Sequence, residues 1–79
     1  MKLYFYCVKD ELANEFLLPG LFKDENLAKR SFKTEVCNNP LWKENSSDFS
    51  LFGLGTFDNE TGEIVSKVEK IVGGRSVVD

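Results

Sequence analysis

No histidine occurs anywhere in the 79 residues. That absence removes imidazole general acid–base catalysis, serine–histidine and cysteine–histidine nucleophile pairs, and every histidine-containing metal site. Cysteine is scarce. Cys7 and Cys37 lack C-x-x-C spacing and are too few for the disulfide framework of a small secreted scaffold. Both sit among apolar neighbours, where reduced, buried thiols acting as small hydrophobes are expected. Positive charge is also short: ten Lys and Arg against thirteen Asp and Glu leave a net charge of −3. That argues against a simple polycation coating nucleic acid. No apolar run could span a bilayer, and the N-terminal MKLYFYCVKDE, interrupted at Lys9, is too short for a signal-peptide core. No Gly-rich loop precedes a helix, so phosphate cradles of the P-loop or dinucleotide type are missing. The carboxylates are scattered over turns and solvated faces. The expectation is a non-enzyme with no cofactor, no metal, no small-molecule substrate and no membrane partner.

What remains has globular composition, 42% hydrophobic and 29% charged, in a chain long enough for one domain spanning 1–79. Aromatic content is generous: seven Phe, two Tyr and one Trp. Lys2 to Lys9 reads as a strand, with Leu3, Phe5 and Cys7 on one face and Tyr4, Tyr6 and Val8 on the other. Apolarity on both faces marks a central strand, or one covered on one side by a partner. Asp10 to Asn14 is a connection, and Glu15 to Phe22, broken by Pro19-Gly20, is an edge strand, a bulge or an extended loop. Asp24 caps a helix running to about Asn38, with Leu27, Ala28, Phe32 and Val36 on its apolar arc. Glu35 lies close to that arc and must reach solvent or a cation. Asn38-Asn39-Pro40 ends the helix, and Leu41 to Asp48 is a polar loop carrying Trp42.

Phe49 to Phe57 is a second strand. Strict alternation places Phe49, Leu51 and Phe57 on one face with Gly53 and Gly55, and Phe52 and Leu54 on the other. Two glycines there signal a bend or a close backbone approach. Asp58 to Gly62 is a hairpin loop with Gly62 at the left-handed position. Glu63 to Val72 returns, with Ile64, Val68 and Val72 inward and Glu63, Lys67 and Glu69 outward. The last four residues are expected to fray. The fold class is therefore α+β: a small antiparallel sheet, ββαββ or βαββ, with one helix packed on one face. Phe32 and Phe57 are expected in the core. One helix leaves Tyr4, Tyr6, Phe52 and Leu54 partly uncovered, which marks a binding or self-association surface.

Two features bear on nucleic acid. Aromatics interleave with cations in Lys2-Leu3-Tyr4-Phe5-Tyr6 and Trp42-Lys43, the combination that single-strand binders use to stack bases beside neutralised phosphates. Lys29, Arg30 and Lys33 gather on the helix side away from the apolar arc. Taken singly, each has a commoner explanation, the first as core packing and the second as an ordinary solvated face.

The ordered set of motifs adds a resemblance. Asp48-Phe49-Ser50-Leu51, then Leu54-Gly55-Thr56-Phe57-Asp58, then Thr61-Gly62 follow Ala28-x-Arg30-x-Phe32, Pro19 and the aromatic strand Tyr6 to Asp10. At this spacing the chain resembles, over nearly its whole length, the small non-structural protein of gokushovirus-type microviruses, tailless phages with circular single-stranded DNA genomes. The resemblance implies a single-stranded DNA-binding protein that acts in viral genome replication, in the host bacterial cytoplasm, at the switch to synthesis of the packaged strands. The nucleic-acid-binding candidates are Lys29, Arg30, Lys33, Tyr4, Tyr6, Trp42 and Lys43, with Lys2, Lys67 and Lys70 as alternative cations. A homo-oligomer is expected. The alternative function is a protein–protein adaptor using the apolar sheet face.

Overall fold

In the computed structural model, which describes residues 1–78, the aromatic N-terminal segment is β1 (Lys2–Asp10) and occupies the interior of a five-stranded antiparallel sheet. On one side β1 pairs with β4 (Phe49–Asp58), and β4 pairs in turn with β5 (Ile64–Gly73), which forms the outer edge. On its other side lie two short pieces, β2 (Glu15–Phe16) and β3 (Gly20–Phe22). These are one edge strand interrupted at Pro19, which has no N–H to give the ladder. Leu17 still donates to the Val8 carbonyl at 2.8 Å, so the interruption spans only Leu18 and Pro19.

Helix α1 (Glu25–Asn38) starts where Asp24 accepts a hydrogen bond from the Leu27 amide at 2.9 Å. It buries Ala28, Phe32 and Val36 against Tyr6, Phe49 and Leu51. Leu27 is left at the edge of the arc, 41% exposed, and Glu35 reaches solvent. The polar loop expected after Pro40 is instead α2 (Pro40–Glu44) followed by a 3-10 turn (Ser46–Asp48). Asn39 explains the difference: its side-chain oxygen accepts from the amides of Leu41 and Trp42, with Pro40 at the first helical position. Residues that stop one helix thus start the next. The fraying expected for the last four residues is likewise corrected over Ser76 to Val78. They belong to α3 (Gly74–Val78), and Val77 packs against the core; Asp79 lies outside the described residues. Three helices rather than one therefore cover the same sheet face.

The sheet is not regularly alternating. Phe5 pairs with Gly55 and Tyr6 with Gly53, leaving Leu54 as an extra residue. A bulge of this kind turns every residue beyond it to the opposite face. Phe49 and Leu51 consequently join the helix-side core. Phe57, expected beside them, lies on the open face against Phe5, with ring centroids 6.4 Å apart, and is only half-buried. Ile64 and Val68 are not inward either, at 63% and 59% exposed, because nothing covers their part of β5.

Cys7 is buried on the open side of β1, where its thiol donates to the Leu17 carbonyl at 3.1 Å and ties β1 to the broken edge. Burial raises its pKa above the usual thiol value. Cys37 is half-buried. Iodoacetamide on the native chain is expected to modify Cys37 first and Cys7 only as the fold opens. Equal rates for the two thiols, read by peptide mass mapping, would contradict this placement.

Candidate nucleic-acid interface

Of the residues expected to touch nucleic acid, Tyr6 has to be withdrawn. It is 8% exposed, meets Phe22 edge-on at 6.0 Å, and belongs to the core. A side chain so enclosed offers no face to a base. Desolvation, with smaller contributions led by the nearby Glu25 carboxylate, raises its phenol pKa, as expected for a hydroxyl held away from water. Trp42 is half-buried and one ring face is already taken, since it stacks on Phe49 at 4.5 Å and 16°. Tyr6 and Trp42 do come together, but as walls of an open apolar groove of about 400 Å³ beneath the Leu17–Gly20 segment.

Tyr4 remains available. It sits two residues before Tyr6 on the same strand face and is 37% exposed. Lys43 and the helix cations Arg30 and Lys33 are exposed, and among the described residues none of the three has an ion-pair partner within 4 Å. Lys29 is different: it is half-buried and bonded to Glu25 at 3.1 Å, one turn earlier. The helix stripe therefore offers two free cations rather than three.

The opposite side of the sheet carries a platform that strand alternation alone did not reveal. Phe16, from the edge piece β2, meets Phe52 of β4 edge-on at 5.2 Å. The Lys9 ammonium lies 5.3 Å from the Phe16 ring centre and 5.6 Å from that of Phe52, a cation–π arrangement. Further along the face, Phe5 and Phe57 form the second aromatic pair. Lys70 projects beside this surface and bonds the Glu11 carboxylate at 3.3 Å, while Lys9 reaches the same carboxylate at 3.6 Å. The Ser50 hydroxyl donates to Glu11 at 3.0 Å; that bond, and then Lys70, hold the Glu11 carboxyl below its ordinary range. Two lysines share one carboxylate, so the cluster keeps a net positive charge next to the Phe16 and Phe52 rings. The signal that could have found it is the interval of seven residues between Lys9 and Phe16, which lets a turn fold the two side by side. Asp10 supplies that turn by accepting from the amides of Leu12 and Ala13.

Among the described residues no group of three or more Cys, Asp or Glu is placed to hold a metal ion, and no helix is long and apolar enough to cross a membrane. A family model described as phage ORF5 protein matches residues 3–77. The chain belongs to this phage family. No curated protein and no solved structure matches it. Within the ORF5 family chain, the matched segment takes in every strand, save Lys2 at the start of β1, and both the helix cations and the aromatic face.

Proposed function

We propose that this ORF5 family chain is a non-enzymatic protein that binds single-stranded DNA during phage genome replication in the host cytoplasm. The observation that carries the proposal is the open sheet face, where Phe16 and Phe52 stand beside Lys9, Lys70 lies close by, and the Phe5–Phe57 pair continues the aromatic surface along the strands. An exposed ring, Phe16, and half-buried ones around it next to cations suit unpaired bases with their phosphates, and stacking tolerates any base because every base has a π-face. The likeness to the gokushovirus-type protein supports the same reading. Arg30, Lys33 and, once released from Glu25, Lys29 provide a second set of phosphate contacts on the helix side. A strand passing round the β2–β3 edge would meet both.

Titration of labelled single-stranded and double-stranded oligonucleotides at two salt concentrations tests this. The expected result is tighter binding to single strands, weakening as salt rises. Phe16→Ala, at a half-exposed edge position, should weaken single-strand binding about tenfold or more, since one stacked base contributes roughly 1–3 kcal/mol. Replacing Lys29, Arg30 and Lys33 together by Gln should flatten the dependence of log affinity on log salt by about 2, at roughly 0.7 per phosphate contact. The fold should survive, because all three are solvent-side helix positions and Gln is a good helix former. Failure to bind either oligonucleotide at low salt would defeat the proposal. The exposed Ile64 and Val68 on the same sheet face favour the adaptor role as the second reading, in which that face meets protein instead.

A further inference from the structure

β5 is an open edge. It pairs with β4 on one side only, and every residue from Ile64 to Lys70 is exposed. An edge of this length with β-branched residues exposed, Val65 at 52% and Val68 at 59%, is a template for another strand. Its sequence, Val65-Ser66-Lys67-Val68-Glu69-Lys70-Ile71, is self-complementary in the antiparallel sense.

We propose that the chain forms a two-fold dimer by antiparallel pairing of β5 with β5 of a second copy, with the axis at Val68. In that register Val68 meets Val68, Lys67 of each copy faces Glu69 of the other, and Val65 faces Ile71. Charge decides the register. An axis at Lys67, Glu69 or Lys70 would set two like charges directly opposite each other, which destabilises a strand pair. Parallel in-register pairing would do so at all three positions. Only the Val68 axis satisfies both Lys67 and Glu69 twice over. β5 bulges twice against β4, once between Ser66 and Glu69, the partners of Gly55 and Gly53, and again at Ile71, where Leu51 pairs with Val72 but Phe52 pairs with Lys70. The second bulge limits the new ladder to roughly this stretch. A two-fold contact of this kind is isologous and closes on itself, so it stops at two copies and leaves the β2–β3 edges free. Side-chain alternation puts Val68 on the open aromatic side and Lys67 and Glu69 on the helix side, so pairing joins the two aromatic faces into one continuous surface. The proposal does not depend on DNA binding.

Sedimentation velocity of the unmodified chain and charge variants tests it without any ligand. The unmodified chain should sediment as a dimer at tens of micromolar concentration. Lys67→Glu or Glu69→Lys alone sets like charges opposite each other at two symmetry-related positions. Each should raise the dimer dissociation constant by about tenfold. The double variant Lys67→Glu, Glu69→Lys should restore dimerisation, because the exchanged charges again face their opposites. Circular dichroism confirms that each variant is folded, as expected for substitutions at exposed positions. A monomer for the unmodified chain, a dimer indifferent to both single changes, or a folded double variant that stays monomeric would each overturn the proposal.

Discussion

Phe32→Ala is expected to destabilise the chain by about 3–5 kcal/mol, the usual cost of truncating a buried phenyl ring. The ring is 2% exposed on the inner side of α1, packed in one cluster with Tyr6, Ala28, Val36, Phe49 and Leu51. Those elements are fixed by β-sheet hydrogen bonds on one side and three helices on the other, so they cannot collapse fully into the space left behind. A domain of 79 residues has only about 4–12 kcal/mol of total stability, at roughly 0.05–0.15 kcal/mol per residue. The variant should therefore be largely unfolded, or melt at least about 12 °C lower, at some 4–8 °C per kcal/mol for a domain this small. Thermal denaturation followed by far-ultraviolet circular dichroism reads this directly. Phe32→Leu, which keeps most of the volume, should cost less than about 1.5 kcal/mol. If Phe32→Ala melted within a few degrees of the unmodified chain, the cluster would not be the core.

Phe57→Ala provides the contrast. Alternation along β4 groups Phe57 with Phe49 and Leu51, yet it lies across the sheet from them and touches Phe5 on the open face. Its loss should cost only about 1–2 kcal/mol, within the common range for a half-buried position. Counting by twos fails here because it assumes an unbroken register, and nothing in the residue pattern counts the extra Leu54. The helix was legible for the opposite reason. Asp24 as cap and the arc Ala28, Phe32 and Val36 are local signals, complete within one element. α2 escaped notice because Asn39-Pro40 carries two meanings, a stop and a start, and only the following chain chooses between them.

The candidate site divides along the same line. That Arg30 and Lys33 face solvent follows from helix periodicity, and the structure places them there. Whether Tyr4 or Tyr6 is exposed does not follow, because both share one strand face and the position of α1 along β1 decides which is covered. Ile64 and Val68 illustrate a related ambiguity. β-branched, apolar residues on one strand face, here four apart with Ser66 between them, identify an apolar face without saying whether anything packs on it. Phe16 was hidden for a third reason: Lys9 lies only a turn away, but Phe52 is far off in sequence and is brought beside it only by the pairing of β1 with β4.

Gly55→Ala is expected to be the most damaging single-methyl substitution in the chain. The residue has φ of +142°, a conformation that L side chains rarely adopt. A Cβ there would also collide with the Val65 carbonyl oxygen of the neighbouring strand, and lie 3.0 Å from the Ser66 Cα. Both atoms are backbone, so neither can rotate away. Relief would require parting β4 from β5 at the point where β1 also pairs with β4. Backbone strain of this kind costs about 1–3 kcal/mol, and forcing atoms into filled space costs about 1–3 kcal/mol more. The sum reaches the lower end of the stability available to so small a chain. Two further glycines calibrate the result. Gly53→Ala, two residues away on the same strand, meets side chains no closer than 3.5 Å without a positive φ, and should change stability by less than about 1 kcal/mol. Gly62→Ala, in the hairpin loop, has φ of +78° and open space around it, so it should lose about 1 kcal/mol from conformation alone. Urea denaturation of the three variants should therefore rank them Gly53, Gly62, Gly55 in rising cost. If Gly55→Ala proved as mild as Gly53→Ala, the bulge that turns Phe57 onto the open face would not be where the structure puts it. The aromatic pairing of Phe5 with Phe57 would then fall with it.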